Sequence, residues 1–268
     1  MKKTLLFTMF IAFAMLVFNF NSSAQQNLGS AQEAENIYTK ASASVDVSNF
    51  EMTQTLTIID NRGNERVRKT SSKSLEVKGV TKMMIEFISP ADVAGTAMLI
   101  YDYPDKDDDM WIYLPAMRKT RRIASNEKGQ SFMGSEFSNA DMTRPSAKDF
   151  DFKFLPEEKV NGEICHVIEM TLNNKNLVRE YAYLKQVSYI SKDKLLTYKV
   201  DFYDNSGKHK KEMTLSKYEK LGSAGKYMAK HIQMKNLQNK RSSIITIDSI
   251  NTKTSIKDAD LSPTKLGE

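Results

Sequence analysis

A mainly β chain organised around one large antiparallel sheet is predicted by three features of these 268 residues. Apolar and polar residues alternate with a period of two over most of the chain, short Gly- and Asn-rich turns separate the alternating stretches, and helical spacing is confined to one segment near the N-terminus. The stretches number about eleven, and a sheet of that size curls on itself, because a flat one leaves an apolar face uncovered.

The chain begins with a candidate export signal. Lys2 and Lys3 supply a positive end, Leu5 to Phe18 is apolar apart from Thr8, and Ser22 and Ala24 place small residues before a cut after Ala24. The apolar core is shorter than the ~20 residues that cross a bilayer. The only cysteine, Cys165, is remote from this segment, so no lipid anchor follows the cut. The expected organisation is a signal peptide over 1–24 and a single domain over 25–268, exported to the periplasm as a soluble monomer.

Residues 30–43 carry Ala31, Ala34, Ile37, Tyr38 and Ala41 at helical spacing. From there the period is two. Phe50, Met52, Leu56 and Ile58 alternate with polar residues, and Asn61-Arg62-Gly63-Asn64 turns the chain into a second strand over 65–77. Further strands are expected at 82–88, 97–101, 110–114, 163–172, 178–184, 196–203, 211–220, 227–237 and 243–250. Turns fall at 77–79, 160–162, 173–175, 205–207 and 222–225, each marked by Gly or Asn.

Residues 115–156 differ. Alternation fails there, while Phe132, Met133, Phe137, Met142, Phe150 and Phe152 are interspersed with Arg118, Arg121, Arg122, Lys128 and Arg144. A connection this long without its own periodicity is usually functional, and its aromatics argue against disorder.

No catalytic constellation has persuasive spacing. His166, His209 and His231 stand alone, which gives no local metal pair, and Asp105 to Asp109 lacks the glycine and terminal glutamate of a calcium-binding loop. Ser131 to Ser135 is not a nucleophile elbow, and no phosphate-binding glycine motif occurs. Cys165 lies in a strand and is expected to pack in a core. The reading is a non-enzyme without metal or cofactor. A net charge of +6 spread over the chain suits anionic headgroups only weakly, and nothing resembles a nucleic-acid reader.

The apolar inventory is more informative. Of 15 methionines three precede residue 25, and Met83, Met98, Met110, Met170, Met213, Met228 and Met234 fall in strands. Unbranched thioether side chains adapt to irregular apolar shapes and suit a cavity holding flexible hydrocarbon. A 16-carbon chain buried there would gain on the order of 10 kcal/mol before ordering costs. Trp111, Tyr113, Phe132, Met133, Phe137 and Met142 are the candidate cavity and gate residues, with Phe132, Met133 and Phe137 as a movable gate. Arg118, Arg121 and Arg122 are candidates for an anionic headgroup or a partner protein.

The stretches 109–123 and 128–142 resemble exported outer-membrane lipoprotein-sorting proteins, which are similar to the periplasmic carrier LolA. Trp111, Tyr113, Pro115, Arg118, Arg121, Arg122, Phe132, Gly134, Phe137 and Asp141 carry the likeness. The resemblance implies a half-open antiparallel barrel whose concave apolar face is covered by helices and the central loop. It also implies a carrier for lipid or lipoprotein acyl chains that meets an inner- or outer-membrane transport component. A non-enzymatic adaptor of an envelope or export complex, its interior filled by its own side chains, is the alternative.

Overall fold

The computed structural model describes residues 22–267 apart from 223 and 224, with side chains from residue 30 onward. The expected signal peptide lies outside the described residues except for its last three. Two α-helices and thirteen strands follow one another: α1 (Ser22–Ser44), β1 (Phe50–Ile59), β2 (Glu65–Val77), β3 (Val80–Ser89), β4 (Ala97–Asp102), β5 (Asp109–Leu114), β6 (Lys119–Arg122), β7 (Phe150–Val160), β8 (Glu163–Leu172), α2 (Lys175–Tyr181), β9 (Lys185–Ser191), β10 (Thr197–Tyr203), β11 (His209–Leu221), β12 (Lys226–Asn236) and β13 (Ser242–Asn251).

All thirteen strands form one antiparallel sheet in the order β6-β5-β4-β3-β2-β1-β13-β12-β11-β10-β9-β8-β7. Every neighbour is a sequence neighbour except β1 and β13, which join the two halves of the chain. The edges, β6 and β7, are consecutive in sequence yet unpaired, and residues 123–149 run between them. The sheet is therefore a barrel left open at one seam, with the central connection placed to fill it. Register shifts at Thr53/Gln54, Lys69/Thr70 and Phe202/Tyr203 are bulges that add curvature.

Each edge is protected against further pairing. All four residues of β6, Lys119 to Arg122, are exposed, and three of them are charged. On β7 the ladder is interrupted between Leu155 and Glu158, where Pro156 offers no N–H. Helix α1 covers the inner side of β7, with Tyr38 and Phe152 rings 5.6 Å apart. Ala34 and Ala41 are buried as their spacing predicts.

The main core lies on the concave face. It joins Ala34 and Ala41 to inward residues of the sheet and to Ile123, Phe132 and Phe137 of the connection. The outer face of β4 and β5 is covered separately by the C-terminal segment, where Leu261 and Leu266 pack on Ala97, Leu99, Trp111 and Tyr113. Tyr101 Oη donates to Leu261 O at 2.8 Å, and Lys82 pairs with Asp258 at 2.5 Å.

Three strands escaped the periodicity, and one expected strand is helical. β6 is four charged or hydroxyl residues, β7 overlaps the 115–156 stretch for which no strand is predicted, and β9 begins beyond the predicted 178–184 strand. Residues 175–181 are α2, because the Asn174 side chain accepts from the Asn176 N–H at 2.8 Å and starts a helical turn.

Candidate functional site

Inside the curl the core does not fill its space. A cavity of about 460 Å³ remains between the sheet, the C-terminal half of α1 and residues 137–145 of the connection. Its walls are Phe50, Met52, Met83, Ile85 and Ile100 on one side and Val200, Phe202, Met213, Leu215, Met228, Ile232 and Ile245 on the other. Tyr38, Ala41, Phe137 and Met142 close it over the seam. Burial pushes the Tyr38 phenol up to about 12. The size falls within the ~300–1,000 Å³ range of small-molecule sites, and the lining is mostly apolar.

The rim is polar. Arg144 reaches Asp46 at the end of α1 (2.5 Å), Asp102 at the end of β4 (3.3 Å) and the Thr81 hydroxyl (3.2 Å), tying three elements together across the opening. Asp102 is raised above its ordinary value by burial, against the pull of Arg144. Next to it Asp108 is pushed up to about 6, by burial first and then by the Asp102 charge, although its carboxylate accepts from the Tyr103 N–H at 3.1 Å.

A raised carboxyl takes up its proton in the folded state first, so stability falls as pH rises from about 4 to about 6 and stays lower above that. Asp108→Asn keeps the acceptor and removes the charge. The variant is expected to be more stable than the parent by about 1 kcal/mol at pH 7, discounted for partial exposure, and equal to it near pH 4. Urea unfolding at the two pH values checks this; parallel losses at both would remove Asp108 as the source.

The central connection is fastened rather than free. At its turn Met133 (φ 51°) and Gly134 (φ 77°) are both left-handed, a conformation that glycine accepts without strain. The turn presents carbonyls to basic side chains of the sheet and of the β12–β13 turn. Arg68 donates to Met133 O, Arg241 to Gly134 O at 2.9 Å and Lys211 to Glu136 O at 2.5 Å. Burial holds the Lys211 ammonium below its usual value. The Glu136 carboxylate is buried and accepts from Asn236 at 2.8 Å, with Arg241 paired at 3.1 Å. Farther on, Lys128 pairs with Glu180 of α2, and Gly129 lies so close to Ala182 that a Cβ there would stand 2.7 Å from the Ala182 Cβ.

The predicted site residues therefore separate into three groups. Phe137 and Met142 line the cavity. Phe132 is only 3% exposed and meets Phe87 at a tilt with ring centroids 5.7 Å apart, and Met133 packs against the same core, so both anchor the connection and neither is among the cavity-lining residues. Trp111 and Tyr113 do share one strand face, but it is the outer one. Trp111 lies against Tyr101 (5.0 Å) beneath the C-terminal segment, while Met110 and Ile112 face inward.

Arg118, Arg121 and Arg122 are exposed at the β5–β6 turn and on β6, outside the cavity lining. Arg121 is held by Glu127 at 2.8 Å and Arg122 by Asp109. The basic residue at the opening is Arg144, two positions after Met142. Cys165 is buried, with its thiol raised by burial, as its strand position predicts. Among the described residues no group of three or more His, Cys, Asp or Glu is arranged to hold a metal, and no helix is long and apolar enough to cross a membrane.

The profile of one family, described only as an uncharacterized protein, matches residues 79–268. No curated protein matches the chain. Among solved structures, an outer membrane lipoprotein-sorting protein domain from Vibrio parahaemolyticus is 29% identical, with a TM-score of 0.81, covering 89% of this chain and 100% of its own. A DUF1329 family protein from Desulfovibrio piger is 26% identical, with a TM-score of 0.80 and coverage of 88% and 99%. A LolA superfamily protein from Nitrosomonas europaea shares the fold at 19% identity and a TM-score of 0.67, with coverage of 85% and 97%.

Proposed function

The chain belongs to the uncharacterized family whose profile matches residues 79–268 and shares the fold of the lipoprotein-sorting and LolA superfamily structures, and on that premise we propose that it is a LolA-like periplasmic carrier or sensor of lipid or lipoprotein acyl chains. One observation carries the reading: a largely apolar cavity of about 460 Å³ that α1 and the fastened connection leave unfilled. Removing hydrocarbon from water is enough to bind it there, at ~0.8 kcal/mol per methylene, so the protein works by binding, not catalysis. A cut after Ala24 would release it as a soluble periplasmic protein, able to collect cargo from one membrane component and deliver it to another. The adaptor alternative needs an interior filled by the protein's own side chains, and the open cavity weighs against it.

Purification from the native cell envelope followed by lipid mass spectrometry tests the proposal. The expected result is a stoichiometric acyl lipid and its displacement by added fatty acid. An empty protein that also fails to bind a fluorescent fatty acid would overturn it.

A further inference from the structure

Two polar side chains in the cavity wall have no good polar partner. Gln186 and Ser188 stand two residues apart on β9 and line the cavity, yet they are only 5% and 1% exposed. Gln186 Nε2 reaches Met170 Sδ at 3.3 Å, and Ser188 Oγ reaches the same sulfur at 3.7 Å. These are the only hydrogen bonds of the two side chains among the described residues, and a thioether is a weak acceptor. Their neighbours on the adjoining strands are Ile168, Met170, Val200 and Phe202, all buried and apolar.

A wall meant only for hydrocarbon would gain from leucine or alanine at these positions. An amide and a hydroxyl kept from water with half-met bonding oppose folding, unless something that enters the cavity meets them. Gln186 offers both a donor and an acceptor, and Ser188 one hydroxyl that serves as either. Their i, i+2 spacing aims both at the same side of the sheet, within reach of a single oxygen on a bound chain.

We propose that Gln186 and Ser188 form a polar subsite inside the apolar cavity that takes an oxygen substituent, hydroxyl or ester, carried partway along an acyl chain. The inference rests on the acyl-chain reading above and refines its cargo from plain hydrocarbon to an oxygen-bearing chain. Selectivity then comes from mispairing: a plain chain leaves both groups unmet, whereas an oxygenated one satisfies them.

Competition binding with stearate and a set of stearates hydroxylated at successive carbons tests this. At least one positional isomer is expected to bind roughly fivefold more tightly than stearate, about the worth of one neutral hydrogen bond. In Gln186→Leu/Ser188→Ala that preference is expected to vanish while stearate affinity holds or rises. Gln186→Met, close to isosteric, serves as a second variant should the double one melt early, and it is expected to lose most of the preference. If stearate binds the parent protein but no isomer binds more tightly, the two groups are satisfied by water and the subsite is wrong while the carrier reading stands. A preference that survives the substitutions also overturns the subsite. If neither stearate nor any isomer binds, both readings fail together.

Discussion

Glu136→Ala is expected to lower stability by about 3 kcal/mol, because it leaves Arg241 and Asn236 facing a buried gap where a carboxylate stood. For a domain of this size that corresponds to a fall in Tm of roughly 6–12 °C. The reason lies in topology. Residues 123–149 join the two unpaired edges, and between its ends this connection is not paired into the sheet, so side chains from β2, β11, β12 and the β12–β13 turn hold it down through its backbone and through Glu136. Glu136→Gln keeps one acceptor oxygen without the charge and is expected to fall between the two. Thermal unfolding followed by circular dichroism reads the order; a change within about 2 °C for the alanine variant would mean that the connection is held by its aromatics alone.

That arrangement also explains what the sequence revealed and what it hid. Alternation identifies a strand when one face is wet and the other dry, so β1, β2, β8, β10 and β13 were legible from residues such as Leu56, Ile58, Ile168 and Val200. It fails at β6, whose residues are all exposed, and at β9, where six of seven residues are buried and no contrast remains. Helix α2 is too short to display a period, and only Asn174 as a cap distinguishes it from a turn. The candidate site was legible by composition rather than by position. Met213 and Met228 do line the cavity, and so do Phe137 and Met142 of the connection. Trp111 and Tyr113 have the same apolar character, but which face of β5 points inward depends on the C-terminal segment. Leu261 and Leu266 claim the outer face, and their contact with β4 and β5 spans some 150 residues that no local pattern records. Arg144 escaped for a similar reason, since its partners Asp46 and Asp102 come from α1 and β4.

Met213→Trp is expected to weaken binding of a long-chain fatty acid by about 100-fold while leaving the fold intact. Met213 lies on β11 between Val200 and Met234, half-buried, with its free side toward the cavity. An indole there grows into open space instead of into packed neighbours, so the overpacking cost that accompanies enlargement in a filled core is small. The volume it takes is volume a hydrocarbon chain would use. Excluding about four methylenes costs roughly 3 kcal/mol of burial, which is about two decades in Kd. Val67→Trp, at an exposed outer-face position of β2, is the matched control and is expected to bind like the parent. Fluorescent fatty-acid titration measures both, with thermal unfolding to confirm that each variant is folded. Should Met213→Trp bind as tightly as the control, acyl chains would have to sit elsewhere on the molecule, and the carrier proposal would lose the unfilled interior as its support.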